Sequence, residues 1–187
     1  MPAPARTSLD DIVAAGLRIA EQEGLAGLRM QRVAQAVGVR PPSLYKHVAG
    51  RDELVRRVIG RLATELAETL EQAATIGEPA TDLRAMADVV RAFAHARPGA
   101  YGLLFGHLPD EWRPESDLLA RASAPILRVT GHLSSEEHAL DAARTFVAWL
   151  HGFIDMELAG AFRLGGDVDS AFTFGVERLA HGVTAAG

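Results

Sequence analysis

The chain has 187 residues, 48% hydrophobic and 23% charged, with 19 Lys+Arg against 24 Asp+Glu, seven His and no Cys. This composition excludes wholesale disorder, and the lack of cysteine excludes disulfides, thiolate nucleophiles and Cys-based zinc or iron–sulfur sites. No apolar run approaches the roughly 18 residues of a membrane span, and Met1–Arg6 has no apolar signal core, so a cytoplasmic protein without a membrane partner is expected.

The net charge of −5 is unevenly spread. Residues 1–61 carry ten Lys+Arg and six Asp+Glu, a net of +4, whereas residues 62–187 carry nine and eighteen, a net of −9. A basic head on an acidic body is the pattern of a nucleic-acid-binding protein.

Helical periodicity runs through almost the whole chain and no alternating strand stands out, which predicts an all-α fold of about nine helices. Ser8, with Asp11 three residues on, makes a capping-box-like start. Leu9, Ile12, Val13, Gly16, Ile19 and Ala20 then share a face, and Gly24 and Gly27 punctuate the end. Met30, Val33, Ala34 and Val37 mark a short second helix stopped by Gly38. Pro41-Pro42 open an equally short third helix, broken by Gly50, with Leu44 and Val48 inward. Asp52 and Glu53 bring negative charge to the start of a fourth, in which Leu54, Val58, Leu62, Leu66 and Leu70 recur every four residues. This helix is expected to reach about Ile76, a length of roughly 38 Å, enough to belong to two cores. A helix is expected over about 81–95, a short helix or turn over 98–106, and a loop over 108–114. Further helices follow over about 116–130, broken or kinked at Pro125, over about 134–159, capped by Ser134 or Ser135, and over 167–183. The expected domains are a head over 6–66 and a C-terminal bundle over 80–187.

Two short helices joined by Gly38-Val39-Arg40 have the dimensions of a helix-turn-helix, whose second helix enters the major groove. Arg40 and Ser43 are donors for phosphates or base edges, and Pro41 and Pro42 offer apolar surface to thymine methyls. Tyr45, Lys46 and His47, with Arg51 beyond them, carry phosphate-contacting groups. Val39, together with Arg29 and Met30 at the start of the second helix, completes the candidate DNA-binding set. A helical hairpin with a merely solvated polar face has the same spacing.

The segment Thr7–Leu54 resembles the N-terminal domain of the tetracycline-repressor (TetR) family of bacterial regulators. The residues that carry the resemblance are Ile12, Ala15, Glu23-Gly24, Val33-Ala34, Val37-Gly38-Val39, Leu44-Tyr45, His47 and Arg51-Asp52-Glu53-Leu54. Val48 stands where phenylalanine is usual and Arg51 where lysine is common. Arg40-Pro41-Pro42 replaces a small or polar run, which leaves the third helix without a good capping side chain. Farther on, Trp149-Leu150-His151-Gly152-Phe153, with Met156-Glu157 and Gly160, is similar to the C-terminal subgroup of that family named for its Trp-His-Gly (WHG) residues.

The resemblance implies a homodimer paired through the last two helices, with Phe146, His151, Phe153, Phe172, Val176 and Leu179 as candidate interface residues. It also implies a palindromic operator in double-stranded DNA and a repressor released by a small-molecule effector. Aromatic side chains with a few polar groups line such pockets, which makes Met86, Phe93, Tyr101, Phe105, His107, Trp112 and Trp149 the candidate effector contacts.

Catalysis has little support. The paired Glu-x-x-His motifs of a di-metal bundle are absent, as are a Gly-rich phosphate loop and a Gly-x-Ser-x-Gly elbow. His151 and Asp155 lie one helical turn apart without a visible third metal ligand. No catalytic residue, metal or cofactor is therefore expected. The alternative function is a helical dimeric ligand-binding or interaction module that has lost DNA binding.

Overall fold

The computed structural model describes residues 7–75 and 77–183. Met1–Arg6, with the expected first residue of the head, and Ile76, the expected end of the fourth helix, lie outside the described residues. Among those described the fold is all-α, with nine α-helices. They are α1 (Leu9–Gly27), α2 (Met30–Ala36), α3 (Pro41–Leu44), α4 (Arg51–Ala73), α5 (Pro79–Ala96), α6 (Pro98–Phe105), α7 (Ser116–Leu133), α8 (Ala139–Leu158) and α9 (Val168–Gly182), with a 3-10 turn at Asp110–Trp112.

The chain divides into two compact units: residues up to Thr64 together with Gly99–Leu119, and Glu65–Pro98 together with the residues from Ala120 on. In the first, the Ser8 hydroxyl accepts the Asp11 N–H at 3.1 Å and the Asp11 carboxylate accepts the Ser8 N–H at 2.9 Å. This reciprocal capping box satisfies two amides of the first turn and holds the Asp11 carboxyl below its usual range. α1 is interrupted at Gly24, where φ is 68°. Ile12, Ala15 and Ile19 of α1, Val33 and Ala34 of α2, Leu44 of α3, and Leu54, Val58 and Leu62 of α4 are all buried, so the helical periodicity of the sequence reads out directly as core.

In the second unit α5, α8 and α9 pack pairwise. Leu83, Met86, Ala87 and Val90 of α5 are buried, as are Phe146, Leu150 and Ile154 of α8 and Phe172 and Val176 of α9. Trp149 lies so close to α9 that a Cβ on Gly175 would fall 2.0 Å from its ring, so only glycine fits there. The indole also contacts Phe153 and Phe172, with centroids 5.4 and 5.8 Å away. Arg91 binds Glu157 and Asp169, and its guanidinium carbon lies 4.6 Å from the centre of the Phe172 ring. This ties α5 to α8 and to the start of α9. The pair holds the Glu157 carboxyl below its usual range, with His95 adding to the effect.

Three local expectations change. α8 begins at Ala139 rather than near Ser134: the Ser135 carbonyl and hydroxyl both accept the His138 N–H, at 3.2 and 3.3 Å, in a separate turn ahead of it, and His138 at the helix start makes no side-chain cap bond. α7 runs unbroken through the buried Pro125. The segment Gly99–Leu119, expected with the C-terminal bundle, packs with the head.

Candidate nucleic-acid interface

α2 ends in a Schellman motif. The Val39 N–H donates to the Ala34 carbonyl at 2.9 Å and the Gly38 N–H to the Gln35 carbonyl at 3.2 Å. Gly38 adopts φ 71°, a left-handed conformation that is easy for glycine and strained for other residues. α3 then opens at Pro41 with no side-chain cap from Arg40. Its α-helical part is only four residues long, shorter than the sequence predicts. Pro41 and Pro42 bring no N–H, and Ser43, Lys46 and His47 each donate to the carbonyl three residues back, so the chain winds in tight turns.

Leu44 and Val48 are buried beneath this segment, which fixes the direction of the rest. Arg40, Pro42, Tyr45, Lys46 and His47 are exposed, while Val39, Pro41 and Ser43 are half-buried. Arg29 is exposed, with its Nε donating to the Ala26 carbonyl at 3.3 Å, and Met30 is half-buried. The hairpin thus presents cationic, hydroxyl and imidazole groups together on a surface held by two apolar anchors.

Arg51, expected as a phosphate contact, is engaged within the chain. Its Nε donates to the Leu28 carbonyl at 2.9 Å and its Nη2 to the Leu25 carbonyl at 2.6 Å, joining the start of α4 to the last turn of α1 and the link that follows it. Its guanidinium also stacks on Trp112, 5.1 Å from the ring centre. Two residues on, the Glu53 carboxylate accepts the Ala49 N–H at 2.6 Å and the Arg57 Nε at 2.7 Å. Those bonds, the backbone one foremost, hold its carboxyl below the usual range. Together they make the α3–α4 corner a hydrogen-bonded block behind the exposed hairpin. The sequence offers no local signal for the role of Trp112, whose partners lie some 60 residues upstream.

The candidate effector residues divide between the two units. Tyr101, Phe105, His107 and Trp112 belong to the first unit, and Met86, Phe93 and Trp149 to the second. Met86 is buried in α5, Phe93 carries the Arg97 guanidinium 5.1 Å from its ring centre, and Trp149 packs on Gly175. The Tyr101 and Phe105 rings lie 4.8 Å apart. His107 lines a cavity of about 280 Å³ within the first unit, floored by Ile59 and Ala63 of α4. Leu104, Leu108, Leu119 and Arg113 line it as well. Leu108 and Arg113 did not stand out in the sequence, because a loop of this kind has no periodicity to read, and nothing local marks Leu104 of α6 and Leu119 of α7 as meeting there.

Of the candidate interface residues, Phe146, Phe172 and Val176 are buried within the single chain, so they serve its own core rather than a partner. His151, Phe153 and Leu179 are half-buried. The open apolar surface of α8 and α9 belongs instead to Leu140, Met156, Leu158 and Phe174, the last 64% exposed.

Among the described residues no three His, Asp or Glu side chains come together as metal ligands, and no helix is long and apolar enough to cross a membrane. Two family models match the chain. One, described as bacterial regulatory proteins of the tetR family, covers residues 12–58 and includes the whole hairpin. The other, a tetracyclin repressor-like C-terminal domain, covers residues 83–179 and contains the Trp149–His151–Gly152 stretch without assigning it to a subgroup. An uncharacterised HTH-type transcriptional regulator of Mycobacterium tuberculosis, Rv0681, is 32% identical over 185 residues, 96% of this chain and 83% of that one. The solved regulatory protein SCO4313 superposes with a TM-score of 0.74 at 27% identity, covering 91% of this chain and 94% of its own. A TetR variant from Acinetobacter baumannii, solved in complex with minocycline, shares the fold with a TM-score of 0.68 at 19% identity, covering 95% and 96%. With matches spanning both the hairpin and the bundle, the chain belongs to the tetracycline-repressor family and is a DNA-binding transcriptional regulator, not an enzyme.

Proposed function

We propose that the protein is a homodimeric repressor that binds a palindromic operator and is released from it by a small-molecule effector. The observation that carries this reading is the exposed cluster of Arg40, Pro42, Tyr45, Lys46 and His47 on a hairpin anchored by buried Leu44. Two such hairpins held about one DNA turn apart, roughly 34 Å, read both halves of a palindrome. The exposed Leu140, Met156 and Phe174 supply apolar surface for pairing through α8 and α9. The minocycline complex of a relative with this fold supports release by a small ligand, which acts by favouring a state with the two hairpins wrongly spaced.

Selection from random duplex DNA tests the reading. The expected product is an inverted repeat bound by a dimer, with affinity falling steeply as salt rises. Failure to enrich any sequence, or binding by a monomer to a single half-site, refutes it.

A further inference from the structure

We infer that the cavity between α4, α6 and the 106–119 segment binds a small apolar molecule ending in a carboxylate; its regulatory consequence rests on the effector-release reading proposed above. Ile59 and Ala63 lie four residues apart on one face of α4 and form an apolar floor, and Leu104, Leu108 and Leu119 form the walls. Leu119 is 42% exposed, a large apolar side chain at the rim. The volume of about 280 Å³ lies at the small end of ligand pockets.

The charged and titratable side chains that line the cavity are His107 and Arg113, and no carboxylate among the described residues joins them. A guanidinium beside apolar walls is matched by a planar singly charged carboxylate, which it can hold through two parallel hydrogen bonds. A neutral ligand would leave Arg113 with its exposed intramolecular partner and gain no charge-assisted bond from it, and a cation would find no carboxylate among the lining side chains. In the structure Arg113 pairs with Asp110 at 3.2 Å, within the same turn and with both side chains largely exposed, and such pairs are worth little. Exchanging Asp110 for a ligand carboxylate is therefore inexpensive.

Position links this cavity to the DNA-binding hairpin. Arg113 directly follows Trp112, whose Nε1 donates to Asp52 at 2.9 Å and whose ring carries Arg51. A ligand that draws Arg113 inward bears on the residue beside it, and through it on the Arg51 bonds to Leu25 and Leu28.

Calorimetric titration of the full chain with octanoate, octanamide and octylamine tests the assignment. Octanoate is expected to bind at one site per chain, octanamide about tenfold or more weakly, and octylamine not at all. Arg113→Met should weaken octanoate about tenfold and leave octanamide unchanged, and Ala63→Leu, which fills the floor, should abolish both. Equal binding of octanoate and octanamide, absence of octanoate binding, or octanoate binding retained in both variants overturns the assignment. If Ala63→Leu does not fold, the exposed Arg113→Met still decides. Operator binding measured in parallel separates the two readings: octanoate bound as expected without release leaves the site standing and refutes effector release through it. Absent octanoate binding beside intact operator binding refutes the site alone.

Discussion

The Trp112 indole N–H donates a 2.9 Å hydrogen bond to the Asp52 carboxylate. The same ring supports the Arg51 guanidinium, which in turn bonds the carbonyls of Leu25 and Leu28. A residue between α6 and α7 thus helps hold the entry of α4, and with it the corner that carries the recognition segment. The first prediction tests this division of labour. Arg51→Ala should lower stability by about 2 kcal/mol, through the loss of two charge-assisted bonds, and weaken operator binding without changing the slope of log affinity against log salt. Lys46→Ala should leave the melting temperature unchanged and reduce that slope by about one, as expected for the loss of a phosphate contact. Filter binding across a salt series, with thermal melts alongside, checks both.

Gly38 carries the turn between α2 and α3 at φ 71°. Gly38→Ala forces a side chain into that conformation and should cost about 1–2 kcal/mol, although open space surrounds the position. Chemical denaturation should show the loss, with an undiminished m-value.

The Arg91–Glu157 pair sets an acid limb to stability. Its partners hold the Glu157 pKa below the unfolded value, so the pair's contribution is complete above the ordinary glutamate range and is lost as pH falls through the lowered folded pKa. Glu157→Gln should destabilise the protein by about 2 kcal/mol near neutrality. Its stability should also fall less steeply than that of the parent below about pH 4. Melts across a pH series measure both effects.

Phe174 is exposed on α9 and Phe172, two residues before it, is buried. Phe174→Glu should therefore shift sedimentation towards monomer while leaving the monomer's helicity intact. Phe172→Ala should instead cost about 3 kcal/mol or more in stability. A variant that melts normally and remains dimeric with Glu at 174 would rule out pairing through that face of α9.

Periodicity made much of this legible beforehand. The buried faces of α1 and α4 follow the spacing of Ile12, Ile19, Leu54, Val58 and Leu62, and the capping box at Ser8 and the stop at Gly38 are local chemistry that a sequence states openly. The family resemblance implies pairing through the last two helices without telling one's own core from a partner's surface, and Phe146, Phe172 and Val176, among its interface candidates, are buried within the chain. Nor does it show which cations bond backbone carbonyls: the bonds of Arg51 to Leu25 and Leu28 depend on the approach of a segment more than 20 residues upstream. The cavity around Arg113 depends on α4 meeting a loop some 50 residues later. No residue near either segment announces that meeting.

The placement of Gly99–Leu119 with the N-terminal helices has a consequence for recombining regulators of this kind. A DNA-reading module excised as one continuous piece of chain would leave behind Trp112 and the walls against Ile59 and Ala63, exposing apolar surface and loosening the grip on Arg51. A chimera that transplants this protein's operator preference onto another bundle must therefore carry two stretches of sequence. The portable unit is defined by what touches the recognition helix's supports, not by where the chain first reaches a linker.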